Sequence, residues 1–382
     1  VGNSLIPDNT LLNRLEYNPR YFKGFITAGF FFETGYGLEN KREFYYLEVP
    51  AGQGQYAWID YNNNNIKELN EFEVSKFIDQ AKFIKIYTPT NAYTKVLQNQ
   101  LSVSLNIRPA AILKNNSKAL NRFANRFNIQ TSARFDNKIS NTNSLDNYNP
   151  FLIVKDTFLL ANNNNIRQSV FFNQSSAFFG ADYTYLKNES RQLIINGIEG
   201  KYLLSHEIKW RLNFFESWAI NSSNIISKKE NSSQFFLARN FIIEGFESEQ
   251  KLIFQPNTIF RLSSIYKYIE KKNVLYSQLE NNISPQKAYI NSFGFELKYN
   301  QTEKGSLNAR FDLIKISYND LKNTALSYEM LNGLSSGNNF TWELSYQRNV
   351  NENIQISITY NARKTSQADL INIGGMQIRA FF

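Results

Sequence analysis

"IQISITYNARKTSQADLINIGGMQIRAFF" closes the chain, running from Ile354 to Phe382. Ile354, Ile356, Ile358, Tyr360 and Ala362 fall on one side of an extended segment, and Gln355, Ser357, Thr359 and Asn361 fall on the other. After a polar turn, Met376, Ile378, Ala380 and Phe382 alternate with Gln377 and Arg379. Side chains of a strand point to opposite faces with period two, so each half of this stretch reads as a ribbon with one apolar and one wet side.

The same alternation recurs upstream. Phe340, Trp342, Leu344 and Tyr346 oppose Thr341, Glu343, Ser345 and Gln347, and Phe293, Phe295, Leu297 and Tyr299 oppose Gly294, Glu296 and Lys298. Segments of this kind predict 14 strands, at about 20–35, 95–107, 124–137, 165–173, 177–187, 200–213, 216–228, 240–254, 257–268, 288–300, 304–318, 338–348, 352–363 and 370–382. Several reach the roughly 9–11 residues that a tilted strand needs to cross a bilayer. The connections alternate in length. One set is short (349–351, 301–303, 255–256, 214–215, 174–176) and the interleaved set is mostly long (364–369, 319–337, 269–287, 229–239, 188–199, 138–164), with 108–123 as an exception on the short side. Short turns at one end and long loops at the other are the pattern of an outer-membrane barrel. The expected fold is therefore all-β: a transmembrane antiparallel β-barrel of about 14 strands, with 16 as the alternative, filling 1–382 as one domain. Residues 36–93 form a large extracellular loop insertion, and an even count places both termini in the periplasm.

Composition agrees with this and removes other classes. No cysteine is present, which excludes a disulfide framework and thiolate chemistry. Aromatic residues make up 15% of the chain, and the mean hydropathy is −0.43. No run of 18 apolar residues predicts a membrane helix, a result that leaves a barrel open because its lumen can be polar. The net charge is +9, but Lys and Arg are interspersed with apolar residues instead of gathering on one stripe, so nucleic acid is not an expected partner. The start at Val1 without a basic, apolar leader implies a removed signal peptide or a piece of a longer chain.

The closing "MQIRAFF" resembles the last strand of bacterial outer-membrane proteins, which ends in Phe behind alternating apolar residues and is read by the assembly machinery; Met376, Ile378, Ala380 and Phe382 match it. "SYEMLNGLSSGNNFTWELSYQRN" and "GQGQYAWIDYNNNNIKELNEFEVSKFIDQAKFIKIYTPTNAYTK" are similar to the C-terminal β-barrel region of large uncharacterised outer-membrane proteins of the Bacteroidota. The resemblance implies a bacterial outer-membrane location, contact with outer-membrane lipid, and envelope protein partners or a periplasmic domain. It implies no activity.

Residues with chemical potential are few. The single histidine, His206, is in phase with Leu204, Ile208, Trp210 and Leu212 and so falls on the lipid side, away from any Ser or Asp it would serve as a base. Glu247 and Glu249 superficially resemble an acid pair. The wet faces carry both signs at Arg134, Asp136, Glu207, Lys209, Arg211, Glu296, Lys298, Arg310 and Asp312, all expected to face the lumen. Two strands fit the pattern poorly: Ser222 and Asn224, and Ser248 and Gln250, stand on the lipid side, which implies either that they face another subunit or that the register read here is wrong. "DYNNNNIKELNE" places Asp60, Asn62, Asn64, Ile66 and Glu71 at positions 1, 3, 5, 7 and 12 of a calcium loop, with Asn65 where Gly is usual. With two carboxylates such a site is weak, in the roughly 10⁻⁴–10⁻³ M range of extracellular modules. The alternative is an Asn-rich turn capping a helix over 71–81.

These features point to a non-catalytic outer-membrane barrel serving transport, secretion or surface assembly. A secreted or surface-attached, calcium-stabilised β adhesin is the second reading, and a barrel-type lipid hydrolase the third. Long loops and paired wet-face charges favour a blocked lumen over an open one.

Overall fold

Period-two alternation becomes one antiparallel sheet in the computed structural model, which describes residues 12–113, 118–140, 148–149, 159–194, 197–275, 285–301, 304–320, 323–366 and 368–381. Its strands are β1 (Leu12–Tyr17), β2 (Arg20–Tyr21), β3 (Ile26–Glu48), β4 (Tyr56–Trp58), β5 (Phe72–Val74), β6 (Phe83–Ile107), β7 (Phe127–Ile139), β8 (Leu159–Phe172), β9 (Phe179–Ile194), β10 (Gly197–Phe214), β11 (Trp218–Ser233), β12 (Phe241–Phe254), β13 (Phe260–Asn273), β14 (Lys287–Gln301), β15 (Gly305–Tyr318), β16 (Gly337–Asn349), β17 (Ile354–Lys364) and β18 (Ile371–Ala380).

From β6 to β18 every strand pairs antiparallel with the next one in sequence, and β3 pairs with β6 across the insertion between them. β1 and β2 follow one another along the free side of β3, opposite Gly35–Phe30 and Thr27–Ile26. Of the 18 strands in the sheet, β4 and β5 belong to the insertion and β1 with β2 share one place. The wall thus has fifteen antiparallel positions among the described residues. No described ladder joins β18 to β1 or β2.

Each of the 14 expected strands has its counterpart, with three differences. β1 is additional; Leu12 and Leu15 are three apart, which breaks the alternation that reveals the others. The expected loop 188–199 is largely strand, since β9 runs to Ile194 and β10 starts at Gly197. From Asn188 to Gln192 both faces are polar, and backbone pairing needs no apolar face. The expected insertion 36–93 is shorter, because β3 and β6 pair as far as Glu48 and Phe83, leaving only 49–82 outside the ladder. Phe382, the expected assembly signal, lies outside the described residues, as do most of the expected loop 138–164 and residues 276–284 of the expected loop 269–287.

The two faces of the wall differ as the alternation requires. Phe246, Leu252, Leu262, Tyr266, Phe293, Phe311, Leu344 and Ile358 project from one face and remain exposed. The other face carries ion pairs and, at the long-loop end, a hydrophobic core. There the short helix Ala325–Met330, in the β15–β16 connection, folds back onto the sheet so that Leu326, Met330 and Leu331 pack on Phe241, Ile243, Ile269, Ala288, Ile290 and Ile316. Thr324 caps this helix by accepting from the Ser327 N–H at 3.1 Å while the Ser327 hydroxyl accepts from the Thr324 N–H at 2.9 Å, so both ends of the capping box are satisfied.

Met330 is fully buried. Met330→Ala should destabilise the folded protein by about 2–5 kcal/mol, read as a lowered melting midpoint, with the largest loss of hydrogen-exchange protection over 323–336.

Candidate functional site: a closed mouth

The inward-folded helix has a larger companion. β3 and β6 outrun the wall, and their register shifts between Asn40 and Arg42; a bulge of this kind bends a ladder. Beyond it the chain turns back on itself. β4 pairs with β5, and Tyr56 pairs with Phe83 of β6. An aromatic stack holds this hairpin: Tyr46 lies flat on Phe72 at 3.9 Å between centroids, and Phe72 meets Phe83 edge-on at 5.0 Å. Gly54 is required here. Its N–H donates to the Ala81 carbonyl at 2.9 Å, and a Cβ would stand 2.5 Å from the Phe83 nitrogen.

The hairpin reaches across the inner face of the wall to strands far from its own stems. Arg363 of β17 donates to Asp79 at 2.6 Å and stacks over Phe77, 4.4 Å from the ring centroid. Arg239, in the β11–β12 connection, pairs with Glu73 at 3.4 Å and donates to the Phe72 carbonyl at 3.2 Å. Lys85 approaches Glu199 of β10 at 3.9 Å. The two inward segments also grip each other. Glu329 takes Lys76 at 3.2 Å and Lys229 of β11 at 2.7 Å. The Tyr328 hydroxyl accepts from the Lys76 N–H at 3.1 Å and donates to Gln80 at 3.1 Å. Lys271 of β13 donates to the Glu329 carbonyl at 2.7 Å and to Asn332 at 2.6 Å. In a flat sheet β6 and β17 would stand about 50 Å apart at the usual strand spacing; one hairpin touching β10, the β11–β12 connection and β17 needs a wall that curves around it.

Between hairpin, helix and wall lies a cavity of about 540 Å³. Its lining is balanced in charge, with Lys76, Lys201 and Arg239 facing Glu73, Glu199 and Glu329. Burial pushes the Glu73 carboxyl above its ordinary value, against the pull of Arg239. At Glu329 burial also pushes upward, but Lys229 and Lys76 outweigh it and hold the group below the ordinary range.

The residues singled out from the sequence fall into three places. Arg134 and Asp136 pair at 2.7 Å, Glu207 and Lys209 at 2.8 Å, and Arg310 and Asp312 at 2.7 Å. Glu296 takes Lys251 at 2.5 Å and Lys298 at 2.7 Å, and Arg211 donates to the Ser176 carbonyl at 2.9 Å. All nine stand on the face that carries the mouth segments. Glu247 and Glu249 share Lys267, at 2.6 and 3.9 Å, so they are a charge cluster with their own cation. On the opposite face the His206 Nδ1 lies 2.8 Å from the Tyr183 hydroxyl. There too, Ser222, Asn224, Ser248 and Gln250 form one chain of hydrogen bonds, Gln250 to Ser248 at 3.2 Å, Ser248 to Asn224 at 2.8 Å and Asn224 to Ser222 at 3.0 Å.

The Asn-rich loop is the third place. Asp60 accepts from the N–H groups of Asn64 and Asn65 at 3.2 and 2.8 Å; Asn62 accepts from Asn64 and Asn64 from Ile66. Asn63 and Asn65 are left-handed, with φ of 57° and 58°, a conformation that Asn tolerates. Glu71 is buried beneath them and accepts from the Trp58 indole at 2.8 Å and the Tyr61 N–H at 3.2 Å. The structure therefore gathers Asp60, Asn62 and Asn64 and turns Glu71 toward N–H donors. The helix expected over 71–81 is replaced by β5 and turns, because Phe72 is needed in the aromatic stack.

Glu73, Lys76, Asp79, Arg239, Glu329 and Arg363 were not legible as a site. Glu73, Lys76 and Asp79 recur every third residue in "EFEVSKFIDQ", which marks a segment with one charged side, but their partners lie more than 150 residues away. No protein-family model and no curated protein matches this chain, so its class rests on its architecture: an all-β protein built on one large antiparallel sheet.

Glu329 provides a pH test. Its folded-state value is depressed, so its stabilisation is present above the ordinary carboxylate range and is lost as pH falls through the depressed value. Glu329→Gln should lower stability at pH 7 by on the order of 2 kcal/mol. The gap between variant and wild type should close as the pH drops well below about 4, read from melting midpoints across the range.

Proposed function

We propose that this chain forms the membrane-spanning wall of a bacterial outer-membrane β-barrel whose outer mouth is closed by its own hairpin, and that it serves passage or surface assembly without catalysis. The observation that carries the reading is the exposed apolar face. Soluble monomers rarely expose a contiguous apolar patch beyond a few hundred Å². Here Phe246, Leu262, Tyr266, Phe293, Phe295, Phe311 and Leu313 stand exposed on consecutive strands in one phase of the alternation. Lipid accepts such a face and water does not. A soluble adhesin would have to cover it. No described helix is long and apolar enough to cross a membrane, which leaves the strands to do so.

The same reading gives the inner face its role. Paired charges along a lumen narrow it, while the hairpin and the helix Ala325–Met330 occupy its outer end. Passage through such a wall requires the ties at Asp79–Arg363, Glu73–Arg239 and Lys76–Glu329 to be released. Outer-membrane lipid is the partner of the outward face, and envelope proteins or a periplasmic domain would meet the wall at its ends.

A weak calcium site at 60–71 belongs to this proposal. Asp60, Asn62 and Asn64 converge on one turn, with Asn65 left-handed at the sixth position as the loop template requires. Millimolar calcium should then slow proteolysis within 49–82 in the wild type and not in Asp60→Ala. Equal rates in calcium and in chelator would reduce the motif to a polar turn.

The membrane reading is tested by two neighbouring residues. Leu344 projects from the apolar face and Ser345 from the other. Leu344→Arg should cost about 2–4 kcal/mol in bilayers, while Ser345→Arg should be far milder in folding titrations into lipid vesicles. Equal damage from both would contradict the assignment of faces.

A further inference from the structure

The long connection at the short-turn end of the wall differs in composition from the rest of the chain. Residues 108–126, "RPAAILKNNSKALNRFANR", hold five Lys and Arg and no Asp or Glu, and no acidic residue stands between Asp79 and Asp136. Positive charge is dispersed over most of the sequence. Here it is gathered, with Lys118, Arg122 and Arg126 recurring at four-residue spacing. These three are exposed, and so are the apolar side chains among them: Leu120 is 77% exposed and Phe123 54%.

Two short helices, Ala110–Leu113 and Ala119–Ala124, lie in this connection, and the Asn125 amide ties them by donating to the Leu113 carbonyl at 2.8 Å. The first rests on the turn Phe22–Gly24, which brings the exposed Lys23 and Phe22 to the same place. The second is held on the apolar side of the wall. Its Phe123 ring lies 5.2 Å from Phe127 and 6.0 Å from Phe172. Phe127 and Phe172 pair across β7 and β8, in the phase opposite to Arg134 and Asp136. Phe179, Trp218 and Phe254 occupy that face at the same end of their own strands, Phe179 6.4 Å from Phe172 and Trp218 4.8 Å from Phe254. A girdle of rings at strand ends is how a barrel marks the boundary between hydrocarbon and headgroups. Residues 119–124 therefore lie at headgroup depth, on the side where lipid is the neighbour.

We propose that residues 108–126 form an interfacial anchor that binds anionic phospholipid headgroups in the leaflet bordering the short-turn end. The inference rests on the membrane reading above. Leu120 and Phe123 enter the upper acyl region while Lys and Arg meet phosphate, which is the division of labour of a helix lying in an interface. The segment contains no carboxylate to neutralise its own cations, so the charge complement has to come from its surroundings. A zwitterionic headgroup brings its own cation and competes with these side chains, whereas a headgroup of net negative charge does not. The preference is therefore for anionic lipid, at roughly fivefold for each cation near the surface.

The chain has no cysteine, so Ala119→Cys carries a single fluorophore at the anchor. The labelled protein is folded into phosphatidylcholine vesicles containing a minor fraction of nitroxide-labelled lipid, either phosphatidylglycerol or phosphatidylcholine. Quenching by the phosphatidylglycerol should exceed that by the phosphatidylcholine, with a relative association constant of about ten or more. Arg122→Gln combined with Arg126→Gln, both at exposed positions, should reduce that constant about tenfold, and so should raising the salt of the unmutated protein to about 1 M. Equal quenching by the two lipids, or a preference that survives both the double variant and the salt, would overturn the proposal. Absence of quenching by either lipid would overturn it too, because the segment would then face water or a protein partner instead of the leaflet. The membrane reading is judged separately on Leu344 and Ser345: a wall that passes that test with no lipid preference at position 119 fails here alone.

Discussion

Each interior strand of the wall gives its backbone N–H and C=O groups to two neighbours, and the rest of the molecule follows from that pairing. A pleated ladder leaves side chains only two directions, so any residue is committed to the apolar face or to the inner one. One slipped register would carry Phe293 and Phe295 to the side of Glu296 and Lys298. The observed registers hold apolar residues in one phase and ion pairs in the other from strand to strand. In lipid the same pairing is obligatory, since it is the only way a sheet can satisfy its backbone.

The mouth is held differently. There, few contacts follow from the ladder, and the hairpin is fixed by an aromatic stack and by ion pairs to distant strands. Arg363 and Asp79 are both largely buried. Breaking such a pair by removing one partner leaves an unpaired charge and is costly, although the intact pair adds little net stability. That asymmetry suits a closure: the intact ties choose one position for the hairpin, and the loss of any one disfavours that position. Glu73 and Glu329 sit in the same cluster and are displaced in opposite directions because Glu73 faces one arginine while Glu329 faces several lysines.

The polar residues on the apolar face have a local solution. Ser222, Asn224, Ser248 and Gln250 come from two adjacent strands, and their pairing, Ser222 opposite Gln250 and Asn224 opposite Ser248, lets each satisfy the next. Hydrogen bonding within the group lowers the cost of holding amides and hydroxyls among apolar side chains. Their misfit in the sequence pattern was a real feature of the face and not an error of register.

The wall was legible in the sequence because alternation is a local property, visible wherever Ile356, Ile358 and Tyr360 stand two apart. It failed locally at β1, where Leu12 and Leu15 break the period, and at 188–192, where both faces are polar and only backbone pairing continues the strand. The Asn-rich loop was legible as a turn, since Asp and Asn act on their own backbone within a few residues. The mouth was not legible. Arg363 meets Asp79 and Arg239 meets Glu73 only after the curved sheet has brought distant parts of the chain together, and no spacing in the sequence encodes that contact. Sequence by itself determined which residues face which way; tertiary structure decided which of them meet, because hydrogen-bonded register is local and curvature is a property of the whole sheet.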